Sequence, residues 1–296
     1  MTSPAIELAA QKLPPNSCDC HVHIIGPTEQ FPLSKDRAYT PMEANVAMLH
    51  KMAKSASIDR HVLVQPSVYG TDNRCLLVSL DTLGKKHARG VVVVDKSIEQ
   101  SEIDHLQRSG VRGLRLNLKS NGTPNYQAIE AAIASAVKIA ERYNWHIQLF
   151  MPLEVLCNLT NQLLAPPMPI VLDHFGLLSP HQKDEATFST IRKLLESGNC
   201  WVKLSGTYRI AKTPTHPDLR KLARRLFAIN GDRCVWASDW PHKPKHSGKA
   251  NQDLVEKPNQ SIDTVGLIRD ALGWLSPEDS VGLFRDNPKI LYDFED

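Results

Sequence analysis

The stretch Cys18-Asp19-Cys20-His21-Val22-His23-Ile24 decides the fold, because it is the first of eight short apolar runs and it ends in chemistry. Side chains alternate along a strand, so His21 and His23 project from the same side, two residues apart. Seven similar runs follow: His61–Val68, Arg89–Asp95, Val111–Leu118, His146–Met151, Pro169–Phe175, Cys200–Ser205 and Cys234–Asp239. Between them lie longer amphipathic stretches; Ile129, Ile133, Ala136, Val137 and Ala140, for example, stack on one face at helical spacing. Strands alternating with helices predict a parallel sheet, and eight of them predict a closed (β/α)8 TIM barrel of the α/β class. A doubly wound open sheet would use the same alternation, but no Gly-x-Gly-x-x-Gly loop follows the first run. A barrel takes about 250 residues, so the chain reads as a single domain over residues 1–296.

Composition agrees with a packed globular chain, 42% hydrophobic and 23% charged. The net charge of +3, from 35 basic and 32 acidic residues, is too small to suggest a polyanionic partner, so nucleic acid is not expected. Residues 1–20 include Glu7, Pro14, Pro15 and Asp19 and no apolar run long enough for a signal peptide or membrane span. The expectation is a cytoplasmic protein that works away from membranes. Of the six cysteines, Cys18, Cys20, Cys200 and Cys234 fall inside the strand runs as small hydrophobes, and Cys18-Asp19-Cys20 lacks Cys-x-x-Cys spacing.

Ser179-Pro180 and Ser276-Pro277 each read as a helix N-cap followed by a proline in the first turn. Two connections, Ile25–Glu43 and Trp240–Gln260, far exceed the usual length of about two to six residues. Both follow strands, so in a barrel both stand on the carboxyl-terminal face and read as lids over an active site. Lys243, Lys245, Lys249 and Lys257 within the second read as solvated.

The polar residues at strand ends carry the functional reading. His21 and His23 end the first run, His174 follows Leu172-Asp173 in the sixth, and Asp239 closes the eighth in Trp236-Ala237-Ser238-Asp239. Catalytic side chains of barrels come from these ends. Each has a plainer reading, a satisfied core histidine or a capping aspartate, but four such groups on three strands favour a common site. His61 and His146 begin strands and belong to the opposite face. In Val111-Arg112-Gly113-Leu114-Arg115-Leu116-Asn117-Leu118, leucines turned to the helices would turn Arg115 inward. A buried arginine needs an anion, either an internal carboxylate such as Asp19 or a substrate. Arg209, just beyond the seventh run, is a second cation on the proper face.

With these motifs assembled, the chain resembles the amidohydrolase-2 branch of the amidohydrolase superfamily, and in it the pyrone-dicarboxylate hydrolases and related lactonases. The similarity covers nearly the whole chain. It rests on Asp19–His23 with Gly26-Pro27 and Phe31-Pro32, on Val64–Asn73, on Arg112–Arg115, on Asp173-His174, on Trp236–His242 and on Asn287–Tyr292. The resemblance implies that Asp239 activates water, that His21, His23 and His174 surround a substrate carbonyl, and that Arg115 and Arg209 hold carboxylates. It also places Tyr39 and Ser67 at substrate contacts. The chain departs from the pattern after the fourth strand, where Lys119-Ser120-Asn121-Gly122 replaces an arginine, and on the fifth, where Gln148-Leu149-Phe150-Met151 lacks a tyrosine.

The expected function is that of a hydrolase on a carboxylic ester bond, a lactonase that opens a small, carboxylate-bearing lactone with Asp239 as base. Its partner is that small molecule. A metal-free site is the first expectation; the alternative is one divalent metal such as zinc on His21, His23, His174 and Asp239. Arg115 stands where a bridging carboxylated lysine would be needed, which speaks against two metals. Two other functions compete: a metal-dependent non-oxidative decarboxylase of the same family, which would want a histidine at the end of the fifth run, and a barrel that only binds a metabolite.

Overall fold

The computed structural model describes residues 12–118, 125–181, 185–243 and 253–296, with only the backbone at 253 and 254. Eight strands form one parallel sheet: β1 (Cys18–Val22), β3 (Arg60–Val64), β4 (Ala88–Val92), β5 (Val111–Asn117), β6 (His146–Phe150), β7 (Ile170–Leu172), β8 (Cys200–Ser205) and β9 (Cys234–Ala237). They lie side by side in chain order. The sheet closes where Val22 bridges Trp240 in parallel, with His23 N donating to Trp240 O at 2.9 Å and Asp239 N to His21 O at 3.0 Å. The eight expected runs thus become eight strands of a (β/α)8 barrel, trimmed at their ends. The second run stops at Val64 because Pro66 has no N–H for the ladder. The sixth ends at Leu172, after which His174 and Phe175 take left-handed backbone angles (φ 52° and 57°) and turn the chain.

Alternation sorts the side chains. Leu114, Ile147, Leu149, Ile170, Val202 and Leu204 join the outer core against the helices. Val62, Val64, Val91, Val171, Trp201 and Val235 fill the barrel itself. The C-terminal Tyr292 and Phe294 complete that inner cluster, and the Phe294 ring lies 5.0 and 4.5 Å from the guanidinium carbons of Arg60, the first residue of β3, and Arg89, the second of β4. The tail therefore plugs the amino-terminal end, and the polar strand ends are left to the other face. An irregularity in the pairing of β1 with β3, a register shift between Asp19 and Val22, leaves Val22 in the outer core while His21 and His23 both face inward.

The two long connections meet. β2 (Tyr39–Pro41), from the first, pairs in parallel with β10 (Asp253–Lys257), from the second. The expected lids are thus one two-stranded strap rather than two free excursions, and Lys243 Nζ lies 5.8 Å from the Tyr39 ring centre. Lys245 and Lys249, like Lys119–Gly122, lie outside the described residues. Ser276 caps the helix Pro277–Val281 as expected, accepting from Asp279 N at 3.1 Å. Ser179 does not cap a helix: its hydroxyl accepts from His181 N, two residues on, in a turn, and the next described helix begins at Glu185. The short turn satisfies the serine locally, so Pro180 never reaches a helical position. All six cysteines are free, and Cys18, Cys20, Cys200 and Cys234 are buried. Among the described residues no helix is long and apolar enough to cross a membrane.

Candidate active site

His21 and His23 leave β1 on the barrel side with their Nε2 atoms 3.2 Å apart. Asp239, on a left-handed turn after β9 (φ 65°), brings Oδ1 to 3.8 Å from His21 Nε2 and 3.7 Å from His23 Nε2. His174 stands beside them, its ring centre 5.1 Å from that of His21 and its Nδ1 2.9 Å from Ser205 Oγ. Arg209 and Tyr208 both bond Asp239 Oδ2, the arginine through Nε at 2.5 Å. The four strand-end groups chosen from sequence therefore form one cluster, and all four are buried.

A layer beneath holds them, and most of it was not singled out from sequence. Asp173 Oδ1 faces His21 Nδ1 at 3.3 Å, while Gln148 Nε2 donates to Asp173 Oδ2 at 3.2 Å. Lys203, wholly buried on β8, donates to Cys20 O at 2.8 Å and to Gln148 Oε1 at 2.7 Å and lies 3.5 Å from His21 Nδ1. Arg115 does face inward, but its internal carboxylate is Asp173, at 3.9 Å, not Asp19; Arg115 Nη1 also donates to Gln65 O at 3.0 Å. Asp19 instead accepts from Ser238 N at 2.9 Å and so fixes the turn that carries Asp239. A signal for Lys203 exists in the sequence: it alternates with Val202 and Leu204, as Arg115 does with its leucines. Tyr208 shows no such pattern. Tyr39 is buried within the field of Arg209, Arg115 and Asp239, whereas Ser67 is exposed on the turn Ser67–Tyr69. His61 and His146 are buried at the strand starts, on the opposite face.

Burial controls the charges. It drives His21 down to about 3, with Lys203 adding to the fall and Asp173 opposing it, and it drives His23 down to about 3, helped by Arg115. His174 is likewise held well below its ordinary value, first by burial. Burial would raise Asp239, but Arg209, His174 and His21 outweigh it and keep the carboxylate well below the usual range. Free histidine titrates near 6.5, so between that value and about 3 the unfolded chain takes up protons that folded His21 and His23 refuse. The stability from these neutral rings is complete above pH ~6.5 and is lost as pH falls. Two such groups give a slope of up to about 2.7 kcal/mol per pH unit. Urea unfolding between pH 7.5 and 5 is expected to show the midpoint dropping steeply; a flat midpoint would mean that the rings protonate within the fold.

The same contacts test whether the residues suit a metal. Val64 O, which can only accept, lies 2.7 Å from His23 Nδ1, so that nitrogen carries the proton and Nε2 a lone pair. His21 Nδ1 lies between Asp173 Oδ1, at 3.3 Å, and the donor Lys203 Nζ, at 3.5 Å, so its proton can sit on either ring nitrogen. Asp239 Oδ1 has no hydrogen-bond partner among the described residues. The lone pairs of His23 Nε2 and Asp239 Oδ1 thus converge, with His21 Nε2 beside them when its proton is on Nδ1, and ligand atoms of a first-row dication sit roughly 3.3 Å apart. Atoms of His21, His174 and Asp239 lie within 4.8 Å of one another. The donor set fits one divalent ion.

The amidohydrolase family model matches residues 18–294. The chain is 31% identical to the 2-pyrone-4,6-dicarboxylate hydrolase of Comamonas testosteroni over 95% of this chain and 91% of that one. It is 29% identical to the 4-sulfomuconolactone hydrolase of Hydrogenophaga intermedia, over 95% and 89%. The structure of a putative 2-pyrone-4,6-dicarboxylic acid hydrolase from Pseudomonas putida superposes with a TM-score of 0.80 at 26% identity, covering 96% of this chain and 99% of the other. A match over almost all of the barrel, from the first strand to the C-terminal plug, carries the conclusion that the chain belongs to the amidohydrolase family.

Proposed function

We propose that the chain hydrolyses a small, carboxylate-bearing lactone with a water that Asp239 deprotonates. The observation that carries this reading is the division of labour on one carboxylate: Arg209 and Tyr208 fix Oδ2, while Oδ1, buried and without a hydrogen-bond partner among the described residues, faces the cluster. A base held this way has one lone-pair edge aimed at a reacting water. Asp239 takes the proton as the water oxygen adds to the lactone carbonyl. The same carboxyl group then returns it to the ring oxygen as the C–O bond breaks, leaving a hydroxy acid or its keto form. Arg209 orients a carboxylate of the substrate, Arg115 adds positive charge to the same field, and Tyr39 lies within it. The names of the relatives, hydrolases of a pyrone dicarboxylate and of a sulfonated muconolactone, support an anionic lactone as the substrate class.

Of the two cofactor arrangements left open by the sequence, the contacts favour one divalent ion on His21, His23, His174 and Asp239, because the proton fixed on His23 Nδ1 leaves its Nε2 unable to donate to a carbonyl and Asp239 Oδ1 beside it is without a hydrogen-bond partner among the described residues. When bound, such an ion polarises a carbonyl and acidifies water. Activity is expected to fall on exhaustive chelation and to return with zinc; full activity in chelated protein would restore the metal-free reading, in which His21 carries its proton on Nε2.

The decisive assay offers the protein 2-pyrone-4,6-dicarboxylate, muconolactones with carboxylate or sulfonate groups, and aromatic acids. Turnover of an anionic lactone with kcat/KM of about 10⁴ M⁻¹s⁻¹ or more is expected. Release of carbon dioxide from an aromatic acid, with the lactones untouched, would assign the site to decarboxylation, and binding without turnover would leave a metabolite-binding barrel.

A further inference from the structure

A second cluster of metal-ligating side chains shares no residue with the Asp239 site. His181 lies in the connection after β7, the one that carries His174. His216 caps the helix Pro217–Asn230, and Asp218 is in that helix's first turn, beyond the short helix Thr207–Ile210 that carries Arg209. His181 Nδ1 is 3.3 Å and His216 Nδ1 3.9 Å from Asp218 Oδ2, and the two imidazole centres are 4.8 Å apart, edge to face. One ligand atom from each of the three residues falls within 4.8 Å of the others.

We infer that His181, His216 and Asp218 bind one divalent cation of the zinc class and that the ion ties the β7 connection to the helix beyond β8. Bonds of about 2.0–2.2 Å in a tetrahedral site put ligand atoms roughly 3.3–3.5 Å apart, so the observed separations of 3.3 and 3.9 Å need side-chain shifts only. Asp218 N donates to His216 Nδ1 at 3.3 Å, so that nitrogen carries its single lone pair, which the ion takes over in place of this long hydrogen bond. Lys221 Nζ holds Asp218 Oδ1 at 2.8 Å, which orients the carboxylate and leaves Oδ2 toward the imidazoles. Such an outer partner is what steadies a metal-bound carboxylate. Two imidazoles and one carboxylate select zinc and its late first-row neighbours over calcium or magnesium, which take oxygen ligands. His181 is about half exposed (53% of its side chain), so an ion has a path in and room for water as a further ligand. The competing account of the same distances is an ion pair between a protonated His181 and Asp218. That pair needs no metal and would be weak at this exposure.

Metal binding separates the two. Full-length protein freed of metal by chelator is dialysed against zinc alone, in parallel with His181→Ala and Asp218→Asn. Bound zinc per chain and the rise in Tm on adding zinc are read, not turnover. Any ion taken up around Asp239 is common to all three and cancels. The wild type is expected to bind one zinc per chain more than either variant, or to bind that equivalent at least tenfold more tightly, and to gain more in Tm. Equal stoichiometry and affinity in wild type and His181→Ala would overturn the proposal. So would a lower Tm of His181→Ala in chelator with its zinc uptake unchanged, since that is the signature of the ion pair. Asp218→Asn keeps the shape of the helix start and serves as the second test if His181→Ala were to lose its fold.

Discussion

Asp239→Asn is expected to lower lactone turnover by about 10³-fold, within the 10²–10⁴ range of a positioned general base, while leaving the fold intact. The amide is nearly isosteric with the carboxylate. Its oxygen can take the place of Oδ2 and accept from Arg209 and Tyr208. Its NH2 then occupies the position of Oδ1 and donates toward the Nε2 atom of His23, 3.7 Å away. Orientation survives, and the lone pair that would take a proton from water does not. The variant should therefore keep the circular dichroism spectrum of the wild type and bind a competitive anionic inhibitor within a few-fold of its affinity. Retention of more than a few per cent of kcat by such a folded variant would show that the proton goes elsewhere. Loss of bound metal together with activity would instead locate the effect in the ligand set, so metal content is measured on the same preparation.

Most of the barrel was legible because parallel strands buried on both faces must be apolar along their whole length, and the eight runs follow from that requirement. The cluster was legible for a related reason: in a barrel the polar residues that end apolar runs share one face, and His21, His23, His174 and Asp239 are such residues. What lay beneath was not. Alternation in Cys200-Trp201-Val202-Lys203-Leu204-Ser205 marks Lys203 as an inward charge but not its partners, Cys20 O and Gln148, which are 183 and 55 residues away. That Asp173 rather than Asp19 lies near Arg115 depends on which strand ends lie level in the closed sheet, which alternation within one strand does not give. Ser179-Pro180 misled because a serine hydroxyl serves a two-residue turn as well as a helix start. The pairing of β2 with β10 joins segments more than 200 residues apart and leaves no periodic mark in either.

Arg209→Met is expected to cut kcat/KM for an anionic lactone by about 10²–10³-fold and for its neutral ester by about tenfold or less. The distinction comes from how the two inward arginines are used. Arg115 is already engaged inside the protein, by Gln65 O and near Asp173. Arg209 commits only Nε, to Asp239, in the hydrogen bonds of the described residues, and its side chain is 13% exposed. A guanidinium held by Nε keeps the paired terminal N–H groups that grip a carboxylate in two parallel bonds. Hydrogen bonds to charged groups contribute about 1.5–3 kcal/mol each, and two of them at the low end correspond to the expected loss. The neutral ester presents no anion, so it feels only the second consequence of the substitution, a looser Asp239 that keeps Tyr208 as its remaining donor. The loss for the acid should appear chiefly in KM, with kcat falling as it does for the ester. Equal losses for acid and ester would mean that Arg209 acts wholly through Asp239, as a residue that positions the base, and that the substrate's charge is read elsewhere in the site.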